Sequence, residues 1–124
     1  MKVAMSSTGD NLDAQIDARF GRCRYFLFVD TDSMEVEAVD NANIASAGGA
    51  GIRSAQLIAD KEAQVLLTGN VGPNAFDVLS AAGIKVYSGL SGSIKEAIEK
   101  LKNGQLNETS GPDVGNKFGF GGNK

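Results

Sequence analysis

The stretch Gln64–Tyr87 constrains the fold more than any other part of the chain. Val65, Leu66 and Leu67 form a short apolar run closed by Thr68-Gly69, the pattern of a buried strand. Pro73 follows the loop Gly69-Asn70-Val71-Gly72 and suits a first helical position, where a missing N–H costs nothing. Ala75, Phe76, Leu79 and Ala82 give that helix an apolar face, and Gly83 stops it. Ile84–Tyr87 then reads as a second strand. Two strands joined through a helix run parallel with a right-handed crossover, and such a pair needs helices on both sheet faces. The loop after the first strand lies where ligands sit in open α/β sheets.

The rest of the chain supplies the sheet and its cover. Lys2–Ser6 reads as a buried first strand, with Val3 and Met5 on one side and Ala4 on the other. Ser7–Ala18 is a polar loop in which Leu12 and Ile16 are spaced for a short helical turn. Tyr25–Asp30 is aromatic and β-prone. Met34–Val39 alternates apolar and acidic residues, and Glu35 and Glu37 suit an edge strand. The two should form a hairpin. Gly48-Gly49-Ala50-Gly51 opens a helix running to Asp60, and Ser93-Ile94-Lys95-Glu96 is a capping box for the last helix. The expected architecture is α/β: a five-stranded mixed sheet, antiparallel hairpin plus parallel strands, with flanking helices in a ribonuclease-H-like, three-layer arrangement. One domain, residues 1–106, is expected. From Asn107 to Lys124 the chain turns to Gly, Asn, Ser and Pro, too little apolar surface to offset ordering, and disorder is expected there.

Composition removes several functions. The chain of 124 residues has no histidine, which excludes Ser-His-Asp and Cys-His catalysis and the common zinc patterns. A net charge of −3 gives no general attraction to nucleic acid. No apolar run has the length of a bilayer span, and the N-terminal stretch lacks a leader pattern, so neither a membrane nor a secreted role is expected. Its single cysteine, Cys23, makes no internal disulfide, which suits a reducing cytoplasm.

Two groups of residues remain as candidates for chemistry. Arg19-Phe20-Gly21-Arg22-Cys23-Arg24 places three positive charges in six residues of an acidic chain. Guanidinium groups offer forked donors to anions, and positive neighbours favour a thiolate at Cys23. Alternatively, Cys23 is a small buried hydrophobe and the arginines are merely solvated. The glycine loops Gly48–Gly51 and Gly69–Asn74 both precede helices, whose N-termini favour negative charge. Neither is a Walker loop or a complete dinucleotide fingerprint, and each alone is equally a tight turn. A metal-dependent nuclease on this fold is disfavoured, because Lys2–Ser6 and Leu66–Asn70 contain no carboxylate. Asp10, Asp13 and Asp17 are expected to be solvated.

The words RFGRC-x-YF-x-x-VD, GAGI-x-x-A and TG-x-x-GPNA followed by AGIKVY resemble the dinitrogenase iron–molybdenum cofactor biosynthesis domain family, the NifX and NifB C-terminal-like group. The resemblance runs from about Met1 to Leu101. It implies a ribonuclease-H-like fold and the binding or carrying of metal–sulfur clusters, Fe–S or Mo/Fe–S, rather than catalysis, with cluster-assembly or cluster-accepting proteins as partners. Nitrogen-fixation members are associated with histidine or cysteine ligands; here only Cys23 is a soft ligand, and it is the candidate metal ligand. A bound cluster would therefore arrive preassembled. Its expected contacts are Arg19, Gly21, Arg22 and Cys23, then Gly48, Gly49 and Gly51, then Gly69, Asn70, Gly72 and Asn74. The alternatives are an enzyme of a phosphorylated or nucleotide substrate using the same loops, and a regulatory interaction domain in which they are only turns.

Overall fold

The computed structural model of the chain describes residues 1–41 and 49–111. Strand β1 (Lys2–Ser7) leads to a single 3₁₀ turn, Phe20–Arg22, and then to β2 (Tyr25–Asp30) and β3 (Val36–Asp40). Helix α1 (Ala50–Asp60), β4 (Val65–Leu67), α2 (Pro73–Ala81), β5 (Lys85–Tyr87) and α3 (Ile94–Lys102) follow. The five strands lie in the order β3-β2-β1-β4-β5. β1 pairs antiparallel with β2, Lys2 opposite Asp30, and parallel with β4, Val3 beside Val65. β2–β3 is antiparallel and β4–β5 parallel. This is the mixed sheet expected from the chain order.

Alternation along the central strands divides the core in two. Ala4, Phe26, Phe28, Leu66 and Val86 face one way and pack with Ala55 and Ile58 of α1 and Ala75 and Leu79 of α2. Val3, Met5, Leu27, Val29, Val65 and Leu67 face the other way and meet Ile94, Ala97 and Ile98 of α3. The result is three layers, α/β/α. The capping box of α3 forms: Ser93 Oγ accepts from the Glu96 N–H at 3.1 Å, and the Glu96 carboxylate accepts from the Ser93 N–H at 3.4 Å.

Three local expectations change. The hairpin turn is longer than alternation suggests, and β3 begins at Val36 rather than Met34. Asp30 Oδ1 accepts from the N–H groups of Asp32 (2.8 Å) and Ser33 (3.2 Å), and Met34 takes a left-handed φ of 62°. That side chain supplies turn bonds that strand alternation cannot reveal. Leu12–Ile16 makes no helix: Ile16 bridges to Ser7 and Gln15 to Ser93, so the loop is stitched to its neighbours as extended chain. At the other sheet edge, Thr109 donates its N–H to the Val86 carbonyl at 2.7 Å, and its hydroxyl accepts from the Ser88 N–H at 2.8 Å. The open edge of β5 thus engages a segment whose composition points to disorder. Residues 112–124 of that segment lie outside the described residues.

Because α3 covers its face of the sheet with few large side chains, Ile98→Ala should lower stability by about 2–4 kcal/mol. Urea unfolding should show an earlier midpoint with an unchanged slope; an unchanged midpoint would mean that α3 contributes little to the core.

Candidate functional site

Pairing decides which loops meet. β2 runs against β1, so the segment entering β2 lies at the carboxyl end of β1. β4 runs with β1, and its outgoing loop leads into α2 at that same end. α1 precedes β4 and must return along it, so its N-terminus also opens there. Three separate stretches of sequence thereby reach one edge of the sheet.

Backbone contacts lock them together. Asn70 donates its N–H to the Ala18 carbonyl at 2.8 Å, and Phe20 donates to the Asn70 carbonyl at 3.3 Å. Gly69 permits this: a Cβ there would lie 2.5 Å from Ala18 Cα. Gly21 plays the same part against α1, where a Cβ would lie 2.8 Å from both the N and Cα of Gly51. The buried Phe20 ring packs on Phe26 with centroids 5.4 Å apart, fixing the turn to the sheet. Asn41, also buried, donates its amide to the carbonyls of Gly21 (3.2 Å) and Cys23 (2.9 Å).

Between these pieces lies a hollow of about 490 Å³. Of the expected site residues, Arg19, Gly21, Arg22, Gly49, Gly51, Asn70, Gly72 and Asn74 line it. Gly69 does not, acting instead as a seam beneath it, and Gly48 lies outside the described residues. Phe20, Ala50, Ile52, Pro73 and Ala75 complete much of the wall. Among the described residues, no side chain caps either helix start, whose N-cap positions are Gly49 and Gly72. The first intrahelical amide bonds are Arg53 to Gly49 (2.9 Å) and Phe76 to Gly72 (3.0 Å). The N–H groups of Ala50, Gly51, Ile52, Asn74 and Ala75 therefore precede the helical ladders, at the positive ends of two helix dipoles. Among the described residues, the charged side chains of the lining are both arginines.

Cys23 departs from the thiolate expectation. It is fully buried and absent from the lining, and its thiol is pushed up to about 12, first by burial and then by the charge of Asp17. Hydrogen bonding from the Ser7 and Cys23 backbones and from Asn41 opposes the rise without cancelling it. Burial thus favours the thiol over the thiolate, and the sulfur does not line the hollow. Positive neighbours in sequence do not help, because Arg22 and Arg24 are exposed to water while the sulfur is not. Among the described residues, no group of three or more His, Cys, Asp or Glu side chains is placed to hold a metal ion.

Asp17, expected in solvent, is only 6% exposed and supports the site. Its carboxylate accepts from Arg19 through the backbone N–H (3.0 Å), Nε (3.3 Å) and an outer guanidinium nitrogen (3.4 Å). These bonds, and then the carboxylate's charge, hold the Arg19 guanidinium above its usual pKa. The Asp-x-Arg spacing, with a carboxylate able to cap the N–H two residues on, was the available signal.

The family model for the dinitrogenase iron–molybdenum cofactor matches residues 1–104. The chain belongs to this family. Among solved relatives, the apo form of the orange protein from Desulfovibrio gigas is 44% identical, with a TM-score of 0.88 over 90% of this chain and 95% of that one. A candidate NifB protein from Thermotoga, placed in the DUF35 family, is 42% identical, with a TM-score of 0.75 over 86% of this chain and 91% of that one. An uncharacterized protein from Methanocaldococcus jannaschii is 32% identical over 109 residues, 86% of this chain and 89% of the relative. Membership in the dinitrogenase cofactor family supports a role in metallocluster assembly, of carrier or scaffold type, alongside other assembly proteins. No helix among the described residues is long and apolar enough to cross a membrane.

Two measurements check this geometry. Gly69→Ala should cost about 1–3 kcal/mol by forcing the Ala18 backbone away, and an unaltered melting temperature would contradict the close approach. Because Cys23 titrates near 9.0 when unfolded and near 12 when folded, the unfolded state releases its proton first as pH rises. Stability should fall from about pH 9 towards about pH 12, and Cys23→Ala should make that fall shallower; identical alkaline profiles would mean the thiol is not shielded.

Proposed function

We propose that the protein is a noncovalent carrier or scaffold for an anionic metal–sulfur cluster, of the iron–molybdenum cofactor precursor type or a related Fe/Mo sulfide. One observation carries the reading: two arginines and two helix N-termini converge on a single hollow of about 490 Å³. Backbone amides and guanidinium groups donate hydrogen bonds to negative sulfide or oxide edges, and neither forms a bond to metal. The donor set therefore fits a multiply charged anion held through its outer atoms. It does not fit a bare cation, for which the described lining residues offer no thiolate, imidazole or carboxylate. A relative described in its apo form adds weight to a removable guest.

The mechanism follows from the same donors. Arg19, Arg22, Asn70 and Asn74 would orient the guest, and the amides of Gly51, Ile52 and Ala75 would take up its charge. Because no covalent bond to the protein has to break, a partner with a deeper or thiolate-bearing site can remove the cargo. The expected partners are proteins that assemble the cluster and proteins that accept it.

Anaerobic reconstitution with iron, molybdate and sulfide, with metals counted per chain, tests the proposal. Wild-type protein should take up a stoichiometric cluster. Arg22→Ala should weaken retention by about tenfold or more, charge-assisted hydrogen bonds contributing about 1.5–3 kcal/mol. Cys23→Ala should retain uptake, since its thiol is buried. Absence of uptake, or uptake indifferent to Arg22, would overturn the reading.

A further inference from the structure

Arg19 reaches the hollow from an exposed position, its side chain 66% accessible. A long, solvated arginine usually samples many rotamers and contributes little until something fixes it. Here the fixing group is built in. Resting on the anion-seat reading above, we infer that Asp17 is a positioning residue for the seat and acts through Arg19.

The base on which Asp17 stands is rigid. Its N–H donates to the Ser6 carbonyl at 2.9 Å, and its own carbonyl accepts from Ser6 Oγ at 2.8 Å. Ser6 Oγ in turn lies 2.7 Å from Thr68 Oγ1, and both hydroxyls belong to fully buried residues at the ends of β1 and β4. Asp17 is thus tied to the two central parallel strands. From there its two carboxylate oxygens occupy the Nε edge of the guanidinium, while the Arg19 backbone bridges to Asn70. The remaining edge of the planar fork is left to meet a guest, already oriented.

Two effects oppose each other. The carboxylate's charge weakens the attraction felt by an anion, whereas its hydrogen bonds fix the donor plane. Orientation wins, because the guest would touch Arg19 directly while Asp17 lies behind it and water screens the exposed guanidinium. On this account, freeing Arg19 costs affinity even though it makes the site more positive.

Tetrathiomolybdate, a small anionic molybdenum sulfide, serves as the probe in an anaerobic binding titration at low salt. Wild type, Asp17→Asn, Arg19→Ala and the double variant form a cycle. Asp17→Asn should weaken binding about fivefold and Arg19→Ala about tenfold, with the double variant no weaker than Arg19→Ala alone. Losses that multiply, as general structural damage would give, or Asp17→Asn binding as tightly as wild type or tighter, would overturn the inference. Should circular dichroism show Asp17→Asn to be unfolded, Arg19→Lys decides. An ammonium keeps the charge but lacks the planar fork that holds one edge on the carboxylate and turns the other to the guest, so Arg19→Lys should bind more weakly than wild type, and wild-type affinity would overturn the claim. A wild-type protein that takes up no probe would instead sink the anion-seat reading. The role of Asp17 is then judged by NMR exchange of the Arg19 Nε–H, which should be slow in wild type and fast in Asp17→Asn; equal rates would refute it.

Discussion

Strand β1 pairs antiparallel on one side and parallel on the other, and this asymmetry decides where the other segments end. The antiparallel partner brings the arginine segment to the carboxyl end of β1. The parallel partner brings two helix mouths to the same place. Were both pairings of one kind, the basic turn and the helix N-termini would lie at opposite sheet edges. The hollow is therefore a consequence of topology, and close backbone approaches at Gly21 and Gly69 only tighten what pairing has already assembled. The buried polar groups of Ser6, Thr68 and Asp17 satisfy one another at the ends of β1 and β4.

Much of this was legible in the residues, where a local rule and the global fold agree. Pro73 does start α2, Gly83 does take a left-handed φ of 76° after it, and Ser93 and Glu96 do form their box. Alternation in Lys2–Ser6 correctly separated the two faces of the sheet. What stayed hidden depended on side chains meeting partners distant in the chain or in an irregular loop. Asp17 looks like any loop carboxylate until Ser6 and Arg19 surround it. Cys23 looks activated beside Arg22 and Arg24, but burial outweighs neighbouring charge that water screens. Thr109 sits in a glycine-rich stretch, and its partners Val86 and Ser88 lie more than twenty residues back in the chain.

The electrostatic design is one of contrast. In a chain of net charge −3, the described lining of the hollow carries two arginines and two sets of helix-start amides and no carboxylate. Helix-end dipoles and guanidinium groups act over about one Debye length, roughly 8–10 Å at ordinary ionic strength, so the attraction is local to the mouth. On the proposed reading, a seat of hydrogen-bond donors would let a domain with one buried thiol and no histidine serve in a metallocluster family.

The most direct test of this account is a backbone amide NMR titration with tetrathiomolybdate. The account predicts the largest shift changes at Gly51, Ile52, Asn74 and Ala75 and through Arg19–Arg22, with α3 on the opposite face nearly still. Changes centred on α3 or on the β3 edge, or none near the two helix starts, would contradict it.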